Sequence, residues 1–112
     1  MHTSELTRSR NYGAFASVPN SRQYYLDWLG MGRSGRPAFP SIKQKGESTE
    51  AIHARVSAAE SFFIESLEQF REKVGAEKVT LVGHSIGGYL STAYALKYPE
   101  RVKKLVCKSL FY

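Results

Sequence analysis

The sequence of 112 residues predicts an α/β fold, because strand and helix signals alternate along its second half. Val79-Thr80-Leu81-Val82 is a short β-branched apolar run; Gly83-His84-Ser85-Ile86-Gly87 follows, and then a helical pattern carrying Leu90, Ala93, Tyr94 and Lys97 that Pro99 stops. Upstream, Ile52, Val56, Ala59, Phe63, Leu67, Phe70 and Val74 recur at spacings of three and four, which predicts a long amphipathic helix capped by Gly75. Downstream, Val102 to Cys107 reads as a further strand.

The remaining elements are weaker. Met1 to Gln23 is polar and mixed, and Tyr24-Tyr25-Leu26 leading into Asp27 reads as a short strand. Gly30, Gly32, Gly35, Pro37 and Pro40, followed by the polar basic stretch Lys43 to Gly46, exclude a continuous helix between them. On the long helix, Glu60, Glu65, Glu68, Glu72 and Lys73 lie off the apolar stripe and are expected to form a solvated surface, not a carboxylate site. Gly30-Met31-Gly32-Arg33-Ser34-Gly35 matches the GxGxxG pattern of dinucleotide-binding turns. That reading fails on context: Arg36-Pro37-Ala38-Phe39-Pro40 cannot open the helix on which a pyrophosphate would rest.

Composition bounds the function further. The chain is long enough for one domain, and no stretch approaches the roughly 20 apolar residues of a membrane span. Its N-terminus lacks the apolar core of a secretory signal. A formal charge of +6 and a pI near 9.6 favour anionic partners. Lysine and arginine are nevertheless spread out, with only Lys103-Lys104 adjacent, and no nucleic-acid motif is present. That spread reads first as a solvated surface, and any membrane contact is expected to be peripheral, to an anionic surface. Cys107 is the only cysteine, so no intrachain disulfide forms; it is expected to be a buried strand residue in a reducing compartment. No cofactor is called for.

The GxSxG segment carries chemistry for mechanical reasons. A nucleophilic serine on a strained strand-to-helix turn projects its hydroxyl above the sheet edge. Side chains two residues away on either side would collide there, so Gly83 and Gly87 are expected to make the turn possible. Ser85 is then the candidate nucleophile, and the amide of Ile86 the candidate oxyanion donor. The other reading of the same residues is an ordinary glycine-rich turn whose serine caps the helix.

Two longer segments carry a family resemblance. Asp27-Trp28-Leu29-Gly30-Met31-Gly32-Arg33-Ser34-Gly35-Arg36-Pro37 resembles the DxxGxGxSxxP segment that follows an early strand in α/β-hydrolase-fold enzymes. Gly83 to Tyr89 followed by Tyr94 to Val102 resembles the nucleophile elbow, its helix and the lead into the next strand of that fold. With Phe62 to Glu68, the GHSxGGY and ALKYP segments are similar to the abhydrolase-domain 4 and 5 branch, which includes fungal phospholipases of the cardiolipin-deacylase type.

The resemblance covers about residues 11–107 and implies a partial α/β-hydrolase fold, a doubly wound and mostly parallel sheet. Residues 1–10 are left as an atypical N-terminus and 108–112 as a divergent tail. It implies lipid or carboxylic ester substrates, with deacylation or lysophosphatidic acid acyl transfer as the chemistry. The single cysteine and the lack of a secretory signal place the compartment inside the cell, with cytoplasm, lipid droplet and mitochondrion left open. In such enzymes an acid and then a histidine follow the serine, whereas here Glu100 is the only acid after Ser85 and no histidine follows. His84 directly precedes the serine and is expected to point away from it. The HG-rich oxyanion loop also has no counterpart, nor has the strand before it, which in that family's sheet lies between the strands at 24–27 and 79–83. The chain is thus expected to be a truncated form, inactive in isolation; a noncatalytic fragment binding a lipid surface or a partner is the alternative.

Overall fold

Ser48 opens the longest element by capping it. Its hydroxyl accepts the Ala51 amide at 3.2 Å, satisfying one of the donors that a first turn leaves orphaned. Helix α1 then runs over Thr49–Lys73, with Glu50 in its first turn and Arg71 and Lys73 in its last, signs that suit the helix dipole. It ends in a Schellman arrangement: Gly75 has φ +71°, its amide meets the Glu72 carbonyl at 3.0 Å, and the Ala76 amide meets the Arg71 carbonyl at 3.2 Å. The helix starts three residues before the apolar periodicity does, because its first residues serve the cap, not the core.

The computed structural model describes residues 2–4, 19–40 and 46–108. These fall into two units, 1–37 and 38–112. In the first, β1 (His2–Ser4) pairs antiparallel with β2 (Tyr25–Asp27), His2 opposite Asp27. The strand at His2–Ser4 corrects the reading of Met1 to Gln23 as merely polar and mixed, since three alternating residues give too little pattern to mark a strand. After β2, Met31 and Ser34 donate backbone bonds to Trp28 and Met31, and the Gly30 amide reaches the Gly35 carbonyl at 2.9 Å. No helix opens over residues 35–40, as Pro37 and Pro40 require. Asp27 organises this loop, its carboxylate accepting the Arg33 amide at 3.1 Å and its carbonyl accepting the hydroxyl of buried Ser34.

In the second unit α1 is followed by β3 (Val79–His84), α2 (Ile86–Lys97), a short 3-10 turn over Pro99–Arg101, and β4 (Val102–Lys108). β3 and β4 are parallel, in register from Thr80 opposite Lys104 to His84 opposite Lys108, with α2 as the crossover. Ile64 and Leu67 of α1 and Leu90 and Tyr94 of α2 form the core. Phe39, Phe62 and Phe63 make a smaller aromatic cluster with ring centroids 5.0–6.3 Å apart.

Of the residues expected to form a solvated face, Glu72 and Lys73 are exposed, whereas Glu60, Glu65 and Glu68 correct the expectation. Glu68 is buried and takes two bonds from Arg71, at 2.6 and 2.9 Å, and a third from the Tyr94 hydroxyl. Glu65 accepts Lys97 at 2.5 Å and the Tyr98 hydroxyl at 2.9 and 3.0 Å, and Glu60 accepts the Tyr89 hydroxyl. All three face α2. The stripe itself is also shorter than its periodicity: Ile52 and Val56 are exposed, whereas Ile64, off the stripe, is buried. Cys107 is half-buried on β4, its sulfur 3.6 Å from Thr92 Oγ1 and from the Gly88 carbonyl.

Candidate functional site

Strand β3 and helix α2 meet at one residue, Ser85, and the chain turns there without a loop. Such a turn demands an unusual backbone. Ser85 has φ +53° and ψ −123°, and it and Asn20 are the two residues other than glycine with positive φ among those described. A side-chain-bearing residue in that region is strained by about 1–3 kcal/mol and persists only where its neighbours hold it. Three contacts do so: the Ser85 amide donates to the Lys108 carbonyl at 3.1 Å, and the Ser85 carbonyl accepts the amides of Gly88 at 2.9 Å and Tyr89 at 3.1 Å.

The glycine before the turn is sterically required. A Cβ on Gly83 would lie 2.5 Å from the Gly87 carbonyl oxygen and 2.6 Å from the Gly88 Cα, so helix and strand approach closer than any side chain permits. Ser85 stands at the N-cap position of α2, yet its side chain makes no capping hydrogen bond. The capping reading of this serine is thereby overturned. The Ile86 amide is the first of the helix and has no backbone acceptor among the described residues. The structure thus brings Ser85, Ile86, Gly83 and Gly87 together at one point, with the serine exposed.

Other titratable residues stay apart. Glu100 is exposed in the 3-10 turn beyond the far end of α2, about 18 Å of helix from Ser85 by the rise per residue. His53 is exposed on α1, and His84, exposed at the end of β3, makes no hydrogen bond to the serine. No group of three His, Cys, Asp or Glu residues able to hold a metal ion occurs among the described residues, and no helix among them is long and apolar enough to cross a membrane.

Along the contact between α1 and α2 runs a set of acids that bond α2 and its C-cap. The bonds from Arg71, assisted by Tyr94, hold the Glu68 carboxyl down at about 2, and burial followed by the Glu68 bond pushes the Tyr94 hydroxyl up. The Lys97 bond lowers Glu65, and the Glu60 bond raises Tyr89. The signal that identifies these partners lies outside α1: Tyr89 and Tyr94 of α2 and Tyr98 at its C-cap each offer a hydroxyl that needs an acceptor.

Comparison with known proteins gives consistent matches. The family model described as alpha/beta hydrolase fold matches residues 21–110. An abhydrolase domain-containing protein, abhd-5.2, of Caenorhabditis elegans is 48% identical over 81 residues, 72% of this chain and 15% of its own length. A human (lyso)-N-acylphosphatidylethanolamine lipase is 44% identical over 81 residues, 72% of this chain and 20% of its length. Human 1-acylglycerol-3-phosphate O-acyltransferase ABHD5 is 38% identical over 96 residues, 86% of this chain and 23% of its length. The chain therefore spans less than a quarter of each of these relatives. No solved structure matches it.

Proposed function

Since the chain belongs to the α/β hydrolase fold family, we propose that Ser85 is the nucleophile of a serine hydrolase acting on lipid or carboxylic esters. The observation that carries this reading is the backbone of Ser85: positive φ, no capping bond, and a glycine two residues upstream that nothing larger can replace. Such strain is maintained where it serves a purpose, and here it leaves the hydroxyl exposed. In the proposed reaction Ser85 Oγ attacks the acyl carbonyl, and the Ile86 amide donates to the oxygen that becomes negative. Collapse breaks the ester bond, the alcohol leaves with the proton taken from the serine, and the acyl group stays on Oγ. Water then releases the acid.

A second reading differs only in that last step. If an alcohol such as a lysophospholipid hydroxyl takes the acyl group, the same acyl-enzyme performs acyl transfer, and the likeness to a 1-acylglycerol-3-phosphate O-acyltransferase supports it. The likeness to a lipase acting on N-acylated phosphatidylethanolamine supports hydrolysis. Both imply lipid substrates, and the charge of +6 adds attraction to an anionic lipid surface.

Within these 112 residues Ser85 has no acid–histidine pair downstream. By itself the chain is proposed to turn over no ester, because no base among the described residues hydrogen-bonds to the hydroxyl. A fluorophosphonate probe tests the residual nucleophilicity of Ser85 in this chain, since it needs attack by the serine and no turnover. Covalent labelling of the folded chain that Ser85→Ala abolishes supports the reading. Equal labelling of both, or none of the folded wild type, leaves the chain a noncatalytic lipid- or partner-binding unit.

A further inference from the structure

We propose that Glu60 and Tyr89 form a positioning pair that fixes the start of α2, and with it Ser85 and the Ile86 amide, against α1. The inference rests on Ser85 being the nucleophile. Its basis is a weakness in the first turn of the helix. Ile86 is 51% exposed, and Gly87 and Gly88 carry no side chains, so residues 86–88 are held to the sheet only through backbone, by close packing on Gly83 and the 3.6 Å contact of the Gly88 carbonyl with the Cys107 sulfur, and no side chain among them reaches α1. Two consecutive glycines also make this turn the least helix-prone part of α2. Yet it must hold a strained residue in place.

Tyr89 is the first side chain after the nucleophile to hydrogen-bond outside α2, and it does so with Glu60, 29 residues upstream. Burial does not fix it, because Tyr89 remains 40% exposed. The hydroxyl–carboxylate bond is what ties it. Through its own backbone the same residue reaches the reaction centre: the Tyr89 amide donates to the Ser85 carbonyl at 3.1 Å. One residue thus links the α1 surface to the nucleophile's own peptide group. Neither Glu60 nor Tyr89 touches substrate in this scheme; both act through the placement of the Ser85 carbonyl and of the helix's free amides.

The test uses the full 112-residue chain with Tyr89→Phe, Glu60→Ala, Glu60→Gln and the double variant Tyr89→Phe/Glu60→Ala. Two readouts are taken: hydrogen exchange of the Gly88 and Tyr89 amides, which bond to Ser85, and fluorophosphonate labelling split into probe affinity and rate at saturation. Losing a net hydrogen bond of this kind is expected to speed exchange at Gly88 and Tyr89 by about tenfold, leaving Tyr94 and Tyr98 unchanged. Labelling is expected to slow by about tenfold in its saturating rate and not in probe affinity. Glu60→Gln keeps an acceptor and is expected to match wild type in both, and the double variant to be no worse than either single one.

Exchange at Gly88 and Tyr89 within about twofold of wild type in Tyr89→Phe overturns the pair. Faster exchange with unchanged labelling reduces it to a surface tether and overturns the positioning role. If wild type is not labelled while exchange responds as stated, the reactivity of Ser85 in this chain fails and the coupling of Glu60 to the Ser85 carbonyl stands.

Discussion

Gly83 and Ser85 place opposite demands on the same turn, and substitutions separate them. Adding one methyl group at Gly83 puts a carbon 2.5 Å from a backbone oxygen, and no flexible side chain is there to yield. Gly83→Ala is expected to lower stability by about 2 kcal/mol, as overpacking against backbone does. A loss below about 0.5 kcal/mol in urea denaturation, the range of neutral surface changes, would show that the turn relaxes easily. At Ser85 the sign reverses. Its φ of +53° penalises any Cβ, so Ser85→Gly removes strain and is expected to stabilise the chain by about 1 kcal/mol, net of the entropy that glycine adds to the unfolded state. Ser85→Ala keeps the Cβ and loses no capping bond, so its stability is expected to stay at the wild-type level. A Ser85→Ala loss above about 1 kcal/mol would return the serine to a structural role.

Helices α1 and α2 are joined by polar groups more than their apolar periodicity implies. Glu68, Arg71 and Tyr94 are all buried and satisfy one another, and Arg71 continues to the Ala76 carbonyl at 2.5 Å, so one network braces both helices and the turn before β3. Removing Glu68 strands a buried guanidinium, and Glu68→Ala is expected to cost about 3–5 kcal/mol. Tyr94→Phe removes a single donor and is expected to cost about 1–2 kcal/mol. The pH dependence follows from the depressed carboxyl. Folding lowers Glu68 from the usual 4.5 to about 2, so its contribution is complete above 4.5 and is lost as pH falls through that window, where the unfolded chain binds the extra proton. Glu65 acts in the same direction. Acid titration of stability should thus show a decline below pH about 4.5 that is shallower in Glu68→Gln, and an unchanged slope in that variant would remove Glu68 as its source. Elements with regular apolar spacing were legible in the sequence, as were the turn residues whose chemistry is local: Gly75, Gly83 and Pro99. The acids of α1 were not, because a glutamate's neighbours on another helix leave no mark within its own periodicity. The strand His2–Ser4 escaped for a related reason, since its pairing with Tyr25–Asp27 is set by a partner more than 20 residues away.

Within the second unit, one face of the β3–β4 pair carries exposed apolar side chains among the described residues, and that face bears on behaviour in solution. Gly83 meets α2, and Cys107 meets it from the neighbouring strand, so the alternation of side chains puts Val82 and Val106 on the opposite face. Both are more than 40% exposed, and Thr80, His84, Lys104 and Lys108 share that face with them. Parallel sheets are ordinarily covered on both faces, so an apolar centre ringed by lysines is prone to self-association once charge no longer prevents it. The charge of +6 supplies the repulsion at neutral pH. Salt screens it, because the Debye length falls from about 10 Å at 0.1 M to about 3 Å at 1 M, while the apolar contact is not weakened. The chain is therefore expected to grow in hydrodynamic size as salt rises at pH 7, and also at low salt as pH approaches 9.6, where net charge vanishes. Val82→Thr/Val106→Thr keeps β-branched side chains in both strands and removes the apolar centre, so it should suppress growth under both conditions. Light scattering that finds wild type and double variant growing alike would move the association to another surface; growth of neither would mean that this face does not associate even when charge is screened.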